Sequence, residues 1–347
     1  MTTAPARTAE ATRMYQEAHE AGAAIARQLD ANAALVRELA AALRADPPRL
    51  VATGARGSSD NAATYAKYLF ETRLGVTTTS AAPSVQSVYA AHTDLQGALF
   101  VAISQSGRSP DLLRQVEAAR RDGARVAALV NVEDSPLMQR ADFPIPLRAG
   151  PERSVAATKS FLCSLAALLH LAAEWKQDDA LRAALAGVPA ALEAAWSADW
   201  SDLVDGLVSA RSLFVVGRGI GLAAAQEAAL KLKETCGLHA EAFSAAEVQH
   251  GPMALVERDF PVLFFTQDDD TRASTLEIAA KFRARGARVW VAGGDAEATL
   301  PLPAGLDPVC APLVAVHRFY AAASELALRR GRDPDAPPHL NKVTETT

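Results

Sequence analysis

The chain is written twice, and that repeat limits the folds open to it. Val51-Ala-Thr-Gly-Ala-Arg56-Gly57 is an apolar run entering a glycine turn, and a helical stretch from Ser58 to Arg73 follows and ends near Gly75. Phe214-Val-Val-Gly-Arg218-Gly219 repeats the pattern, with a helix from Leu222 to Cys236 that ends at Gly237. The two Arg-Gly pairs are 162 residues apart (218 − 56), as are Gly75 and Gly237. The second half of each copy agrees. Leu99 to Ile103 and Pro261 to Phe265 read as strands, each followed by a polar turn, a helix and a Gly-Ala-Arg-Val run, at an offset of 163 (286 − 123). A glycine closing a helix just before an apolar strand is an αβ connection. Strands alternating with helices in both copies predict βαβ units, hence an α/β chain of two duplicated, doubly wound, flavodoxin-like parallel sheets.

With 347 residues, 50% of them hydrophobic, the chain is long enough for two such cores. The expected organisation is an N-terminal helical segment at 1–47, a first sheet domain at 48–177, a helical bridge at 178–209, a second sheet domain at 210–331 and an irregular tail at 332–347. Glu10 to Leu43 reads as one helix, and Trp196 and Trp200 in the bridge read as packing anchors. The net charge of −5 and the lack of a basic block interleaved with aromatics argue against nucleic acid as a partner. Cys163, Cys236 and Cys310 form no CxxC pair, which suits a reducing cytosol and predicts no Cys-based metal site. Met1 to Glu10 has no apolar core, so a cytoplasmic location is expected. The most apolar run, Val155 to Trp175, carries Lys159 and His170 and is read as a buried helix, not a membrane span.

In open parallel sheets ligands bind beyond the carboxyl ends of the strands. Ser104-Gln105-Ser106-Gly107-Arg108-Ser109-Pro110 lies between an apolar strand and a helix, with Ser109 at the N-cap and Pro110 at the first helical position. Hydroxyls and amides at a helix start suit a phosphate; the spacing fits an ordinary serine-rich capped turn equally well. Ser58 and Ser59 occupy the corresponding place after the first strand. The matching turn of the second copy is Thr266-Gln267-Asp268-Asp269-Asp270, whose carboxylates would repel a phosphate, so one phosphate site per chain is expected, in the first copy. Gly217-Arg218-Gly219-Ile220-Gly221 does not match a dinucleotide fingerprint, and no cofactor is expected. Glu227, Lys231 and Glu234 share a helix face, a pattern that fits a solvated ion-paired surface at least as well as a site. His250, before Gly251-Pro252, sits in a turn.

Taken together, these stretches resemble the sugar isomerase (SIS) family, in the double-SIS form of the isomerase half of glucosamine-6-phosphate synthase. The resemblance rests on Ser104-Gln-Ser-Gly, on Glu152-Arg-Ser-Val-Ala-Ala-Thr158-Lys159-Ser-Phe161 and on Ala229-Leu-Lys-Leu-Lys-Glu234. It continues through His239-Ala-Glu241-Ala, His250-Gly-Pro-Met-Ala-Leu255 and Asn341-Lys342-Val-Thr. Residue 2 is Thr and not the Cys of a glutaminase nucleophile, so the chain is expected to resemble stand-alone isomerising glucosamine-6-phosphate deaminases. The resemblance implies that Ser104, Gln105, Ser106 and Ser109 hold phosphate, with Ser58 or Ser59 nearby, and that His250 helps open the sugar ring from a neighbouring subunit of a homodimer. It further implies that Glu234 moves a proton between C2 and C1, that Glu227 and Glu152 orient sugar or base, and that Lys342 matches a Schiff-base lysine. Ala157 stands where the synthase has Ser, which removes a sugar-hydroxyl contact. Competing expectations are action on galactosamine 6-phosphate or a fructosamine phosphate, or a non-catalytic sugar-phosphate sensor.

Overall fold

The computed structural model describes residues 7–342. The expectations that fall on residues 1–6 and on Val343 to Thr347 at the end of the tail lie outside the described residues. The chain divides into two compact units, each discontinuous in sequence: one holds Ala23–Pro151 and Lys159–Pro189, the other the residues up to Gly22, Glu152–Thr158 and Ala190–Lys342.

The first unit is built on a five-stranded sheet. Its strands are β1 (Val51–Gly54), β2 (Thr78–Ser80), β3 (Leu99–Ser104), β4 (Arg125–Val130) and β5 (Phe143–Pro146), in the order β2-β1-β3-β4-β5. All pairings are parallel, with Val51 opposite Leu99 and Leu99 opposite Arg125. A parallel sheet covered on both faces needs strands without polar interruptions, and all six residues of β3 are buried. Phe100, Val116, Val126 and Val130 form the core beneath the Pro110–Arg121 helix; burying one such phenylalanine contributes roughly 2–3 kcal/mol.

The second unit repeats the plan. Strands β6 (Ser212–Gly217), β7 (His239–Ser244), β8 (Pro261–Phe265), β9 (Arg288–Gly293) and β10 (Leu300–Pro301) are parallel and run β10-β9-β8-β6-β7. That is the same strand order as in the first sheet, so the repeat read from the sequence is a repeat of topology. The helices at Ser58–Leu74 and Leu222–Cys236 both end on left-handed glycines, Gly75 (φ 70°) and Gly237 (φ 56°), whose N–H groups return to Phe70 and Leu232. The Leu222–Cys236 helix packs along the Ala311–Arg329 helix. Among the described residues no helix is long and apolar enough to cross a membrane.

Two expected helices are interrupted. The N-terminal stretch divides into a 3-10 turn at Ala9–Ala11 and helices at Arg13–His19 and Ala21–Ala45. The break has a cause: Asp335 accepts the N–H groups of Arg13 (2.9 Å) and Met14 (2.8 Å), and Thr12 Oγ1 accepts that of Tyr15 (3.3 Å), which fixes a new helix start. The apolar run from Val155 becomes helical only at Lys159. Before it, Glu152 Oε1 accepts the Thr158 N–H at 3.0 Å, and the Val155 N–H reaches the Asp335 carbonyl at 3.4 Å, so the backbone there is committed elsewhere. Both tryptophans pack inward: Trp196 lies against Tyr15 and His317 (centroids 4.8 and 4.5 Å), and Trp200 is fully buried.

His317 in this packing carries an acid-sensitive balance. Its Nε2–H donates to the Ala18 carbonyl at 3.1 Å, and the buried Nδ1 has no partner. A second proton would place a full charge in this buried packing, and burial pushes the imidazole down to about 3 against the opposing pull of the Ala18 and Leu192 backbone. The unfolded chain therefore takes up a proton near pH 6.5 that the native state refuses until about pH 3, so stability falls as pH drops through that window. Urea denaturation should show a slope approaching about 1.4 kcal/mol per pH unit between pH 6 and 4. His317→Gln should flatten it, and an unchanged slope would exclude His317 as the source.

Candidate functional site

The first sheet reverses direction of winding between β1 and β3, and the turns leaving these two strands form the crevice where such sheets bind ligands. Ser104 is buried at the end of β3, and its Oγ accepts the Gly107 N–H at 3.0 Å. Ser106 Oγ accepts the Arg108 N–H at 3.3 Å. A hydroxyl that accepts in this way keeps its own hydrogen for an outside acceptor, so the turn presents O–H donors to an anion. Gly107 is required: its φ is 63°, and a Cβ there would stand 2.3 Å from Ser135 Oγ. Ser109 occupies the N-cap of the Pro110–Arg121 helix, but its side chain makes no capping bond, contrary to the usual role of a serine there. Gln105 is half-buried beside it. Ser58 and Ser59 open the helix that follows β1, also half-buried.

Arg56, read from the sequence only as an anchor of the repeat, links the two turns. Its Nε and Nη2 both donate to Asp111 Oδ2, at 2.9 and 2.7 Å, and Asp111 is buried in the first turn of the Pro110–Arg121 helix. The pair ties the end of β1 to the helix after β3. In the second sheet the equivalent turn spends its polar groups on itself: Asp269 accepts from the Thr271 N–H (2.9 Å) and from Gln267 Nε2 (3.1 Å).

The second unit holds a cluster of buried ionisable side chains. Glu227 and Lys231 are buried in the Leu222–Cys236 helix, with side-chain exposures of 0% and 1%, while Glu234 is 23% exposed. The solvated ion-paired face that the i, i+4, i+7 spacing also allowed is therefore excluded. Lys231 Nζ lies 3.6 Å from Glu227 Oε1 and donates to Glu234 Oε2. Burial alone would lower its pKa, but the charges of Glu227 and Glu234 outweigh that and raise it, so the ammonium stays charged. Tyr320, from the Ala311–Arg329 helix, donates its hydroxyl to Glu227 Oε1 at 2.9 Å. Burial, with the Glu227 carboxylate next in effect, holds the phenol well above its ordinary range, so it remains a donor.

Glu152 and Lys342 join this group. Lys342 Nζ donates to Glu152 Oε2 at 3.0 Å, and Glu152 lies close enough to add to the field on Lys231 and Tyr320. The loop bearing Glu152 is itself held by Glu17, whose carboxylate accepts the N–H groups of Arg153 (2.5 Å) and Ser154 (3.0 Å). Three carboxylates and two ammonium groups thus meet around one buried tyrosine. Glu234 is the most exposed of the three acids. His250 is not part of this group: it is exposed at the end of the 3-10 turn Glu247–Gln249, and its imidazole makes no hydrogen bond or ion pair among the described residues. No cluster of three or more His, Cys, Asp or Glu side chains fit to hold a metal is found among the described residues.

The SIS domain family model matches residues 45–174 and 206–292, one stretch for each sheet. The chain belongs to the SIS family. It is 36% identical over 363 residues to the isomerising glutamine–fructose-6-phosphate aminotransferase of Aeropyrum pernix, which covers 95% of this chain and 56% of that protein. The chain thus spans little more than half the length of the curated relatives it matches. A Silicibacter pomeroyi protein suggested to be a phosphosugar isomerase is 45% identical, with a TM-score of 0.88 over 93% of this chain and all of that one. The C-terminal domain of glucosamine-fructose-6-phosphate aminotransferase from Francisella tularensis is 27% identical, with a TM-score of 0.83 over 94% of this chain and 98% of that domain.

Within this SIS chain, Tyr320 and Glu17 had no motif to announce them, and Arg56 was visible only as a repeat anchor. Tyr320 is one aromatic in an alanine-rich helix, and Glu17 looks like a surface acid. Lys231 could be separated from Lys233 only by its i+4 spacing from Glu227. Lys231→Met should destabilise the fold by about 3–5 kcal/mol, because two carboxylates lose their buried counter-charge. Adding Glu227→Gln should restore part of that loss in urea denaturation. If the single variant costs under about 1 kcal/mol, the cluster does not depend on Lys231 as described.

Proposed function

We propose that the chain is an amino-sugar phosphate isomerase, and more narrowly an isomerising glucosamine-6-phosphate deaminase: glucosamine 6-phosphate and water give fructose 6-phosphate and ammonia. The observation that carries this reading is the buried Glu227–Lys231–Glu234 group with a half-open carboxylate at Glu234. A protein that only senses a sugar phosphate has no use for a base held by a buried ammonium. The printed names of the relatives support amino-sugar phosphate chemistry at the coarser level.

In this reading the hydroxyls of Ser104, Ser106 and Ser109, with Gln105 and with Ser58 or Ser59, receive the phosphate. His250, supplied by the second subunit of a homodimer, assists ring opening. Glu234 removes the C2 proton of the open-chain aldehyde and returns it to C1, while a proton from the amine nitrogen passes to O1, leaving a C1 hydroxyl and an imine at C2. One carboxylate serves both carbons when they present the same face. Water adds to the C2 imine carbon, the nitrogen leaves as ammonia, and the ketose carbonyl remains. Lys231 fixes the orientation of Glu234, Tyr320 and Lys231 hold Glu227 as a fixed acceptor, and Glu152 with Lys342 brings an amine to the group.

Purified protein given glucosamine 6-phosphate should release ammonia and fructose 6-phosphate in equal amounts. Parallel reactions with galactosamine 6-phosphate and a fructosamine phosphate separate the deaminase from its relatives, and no turnover of any amino-sugar phosphate would leave only a sensor. Glu234→Gln should lower kcat by about 10²–10⁴ while sugar-phosphate binding is kept; an active Glu234→Gln variant would assign the proton transfer to another residue.

A further inference from the structure

The first unit contains a second cavity, on the β2 side of its sheet, whose chemistry nothing in the reaction above uses. It measures about 200 Å³ and is walled by Ala52, Val85, Leu95, Phe100 and Ala119, with Gln115 and Gln86 among its lining residues. Gln115 is 1% exposed. Its Nε2 donates to the Ala81 carbonyl at 2.8 Å, and because a carbonyl can only accept, that bond fixes which way round the amide lies. Oε1 is then the acceptor end of the amide, and it is buried with no hydrogen-bond partner. Gly54 makes room for it: a Cβ there would stand 2.5 Å from Oε1. Gln86 also lines the cavity, with its Nε2 3.3 Å from Thr93 Oγ1; that hydroxyl can donate as well as accept, so only the Gln115 amide has its orientation fixed.

Buried acceptors are ordinarily satisfied, and leaving one unmade costs about 1–3 kcal/mol. An unpaired carbonyl-type oxygen in a largely apolar cavity is the complement of a ligand with an apolar body and an N–H or O–H donor. A charged group is excluded, since no ionisable side chain lines the walls. Size limits the ligand too: an apolar cavity of about 150 Å³ takes benzene, so a molecule of about six to nine heavy atoms fits.

We propose that this cavity is a binding site for a small neutral molecule, apolar except for a hydrogen-bond donor that Gln115 Oε1 receives. The position adds a functional reason. Gln115 lies in the Pro110–Arg121 helix, whose first turn bears Ser109 and Asp111, so an occupant of the cavity would bear on the helix that carries the phosphate turn.

The test uses the full chain and two probes of equal size, phenol and toluene, which differ only in the donor. Ligand-observed NMR titration should give saturable phenol binding about tenfold tighter than toluene binding, and Gln115→Met should abolish or invert that preference. Ala119→Leu, which fills the cavity, should remove binding of both. Equal affinity of the unaltered protein for the two probes would overturn the proposal without reliance on any variant. So would a phenol-soaked crystal showing only an ordered water on Gln115 Oε1.

Discussion

The ammonium of Lys231, shut away from water between two glutamates, is the interaction on which the rest of the second unit turns. An isolated charge in that position would cost several kcal/mol, and so would either carboxylate without it. Each group is tolerable only because the others are present, which makes the cluster a single object and not a sum of pairs. Its cost is met by the packing of the Leu222–Cys236 helix against the Ala311–Arg329 helix, which also brings the Tyr320 hydroxyl onto Glu227. A stable core alone would be better served by apolar side chains at these positions, so the retained charges point to chemistry.

The two sheets carry one topology with different polar turns. Both run in the same strand order, and both end their first helix on a left-handed glycine. They differ in the turns. After β3 the hydroxyls of Ser104 and Ser106 each accept a backbone amide and keep their own hydrogens to donate. After β8 the side chains of Gln267, Asp269 and Thr271 bond to one another and close the turn on itself. The divergence is in a handful of polar residues; the strands and caps stay alike because sheet twist and helix closure leave little freedom.

Most of the fold was legible in the sequence, because hydrophobic runs, glycine stops and a repeat are all local or periodic signals. The serine turn was legible for the same reason: strand, hydroxyls and Pro110 are contiguous. What could not be read was set by distance. Asp335 capping the helix at Arg13, and Glu152 holding the Thr158 N–H, broke two stretches whose apolar pattern alone predicted unbroken helix. The Glu227–Lys231–Glu234 spacing was visible, but its burial was not, since the residues that cover it come from a helix some 90 positions on, as Tyr320 does from Glu227 (320 − 227).

Three of these long-range bonds close a circuit. Asp335 grips the start of the Arg13–His19 helix, Glu17 of that helix grips the backbone at Arg153 and Ser154, and the neighbouring Glu152 receives Lys342. The last link is the weakest, an ion pair of a 25% exposed lysine, whereas Asp335 is fastened by two backbone amides and Arg7. If a ligand displaces Lys342 from Glu152, the amine remains on a leash of seven residues (342 − 335). Such a tether reaches at most about 25 Å, which holds the amine at a millimolar effective concentration around its own anchor. An amine so tethered would stay concentrated near its anchor even when parted from Glu152.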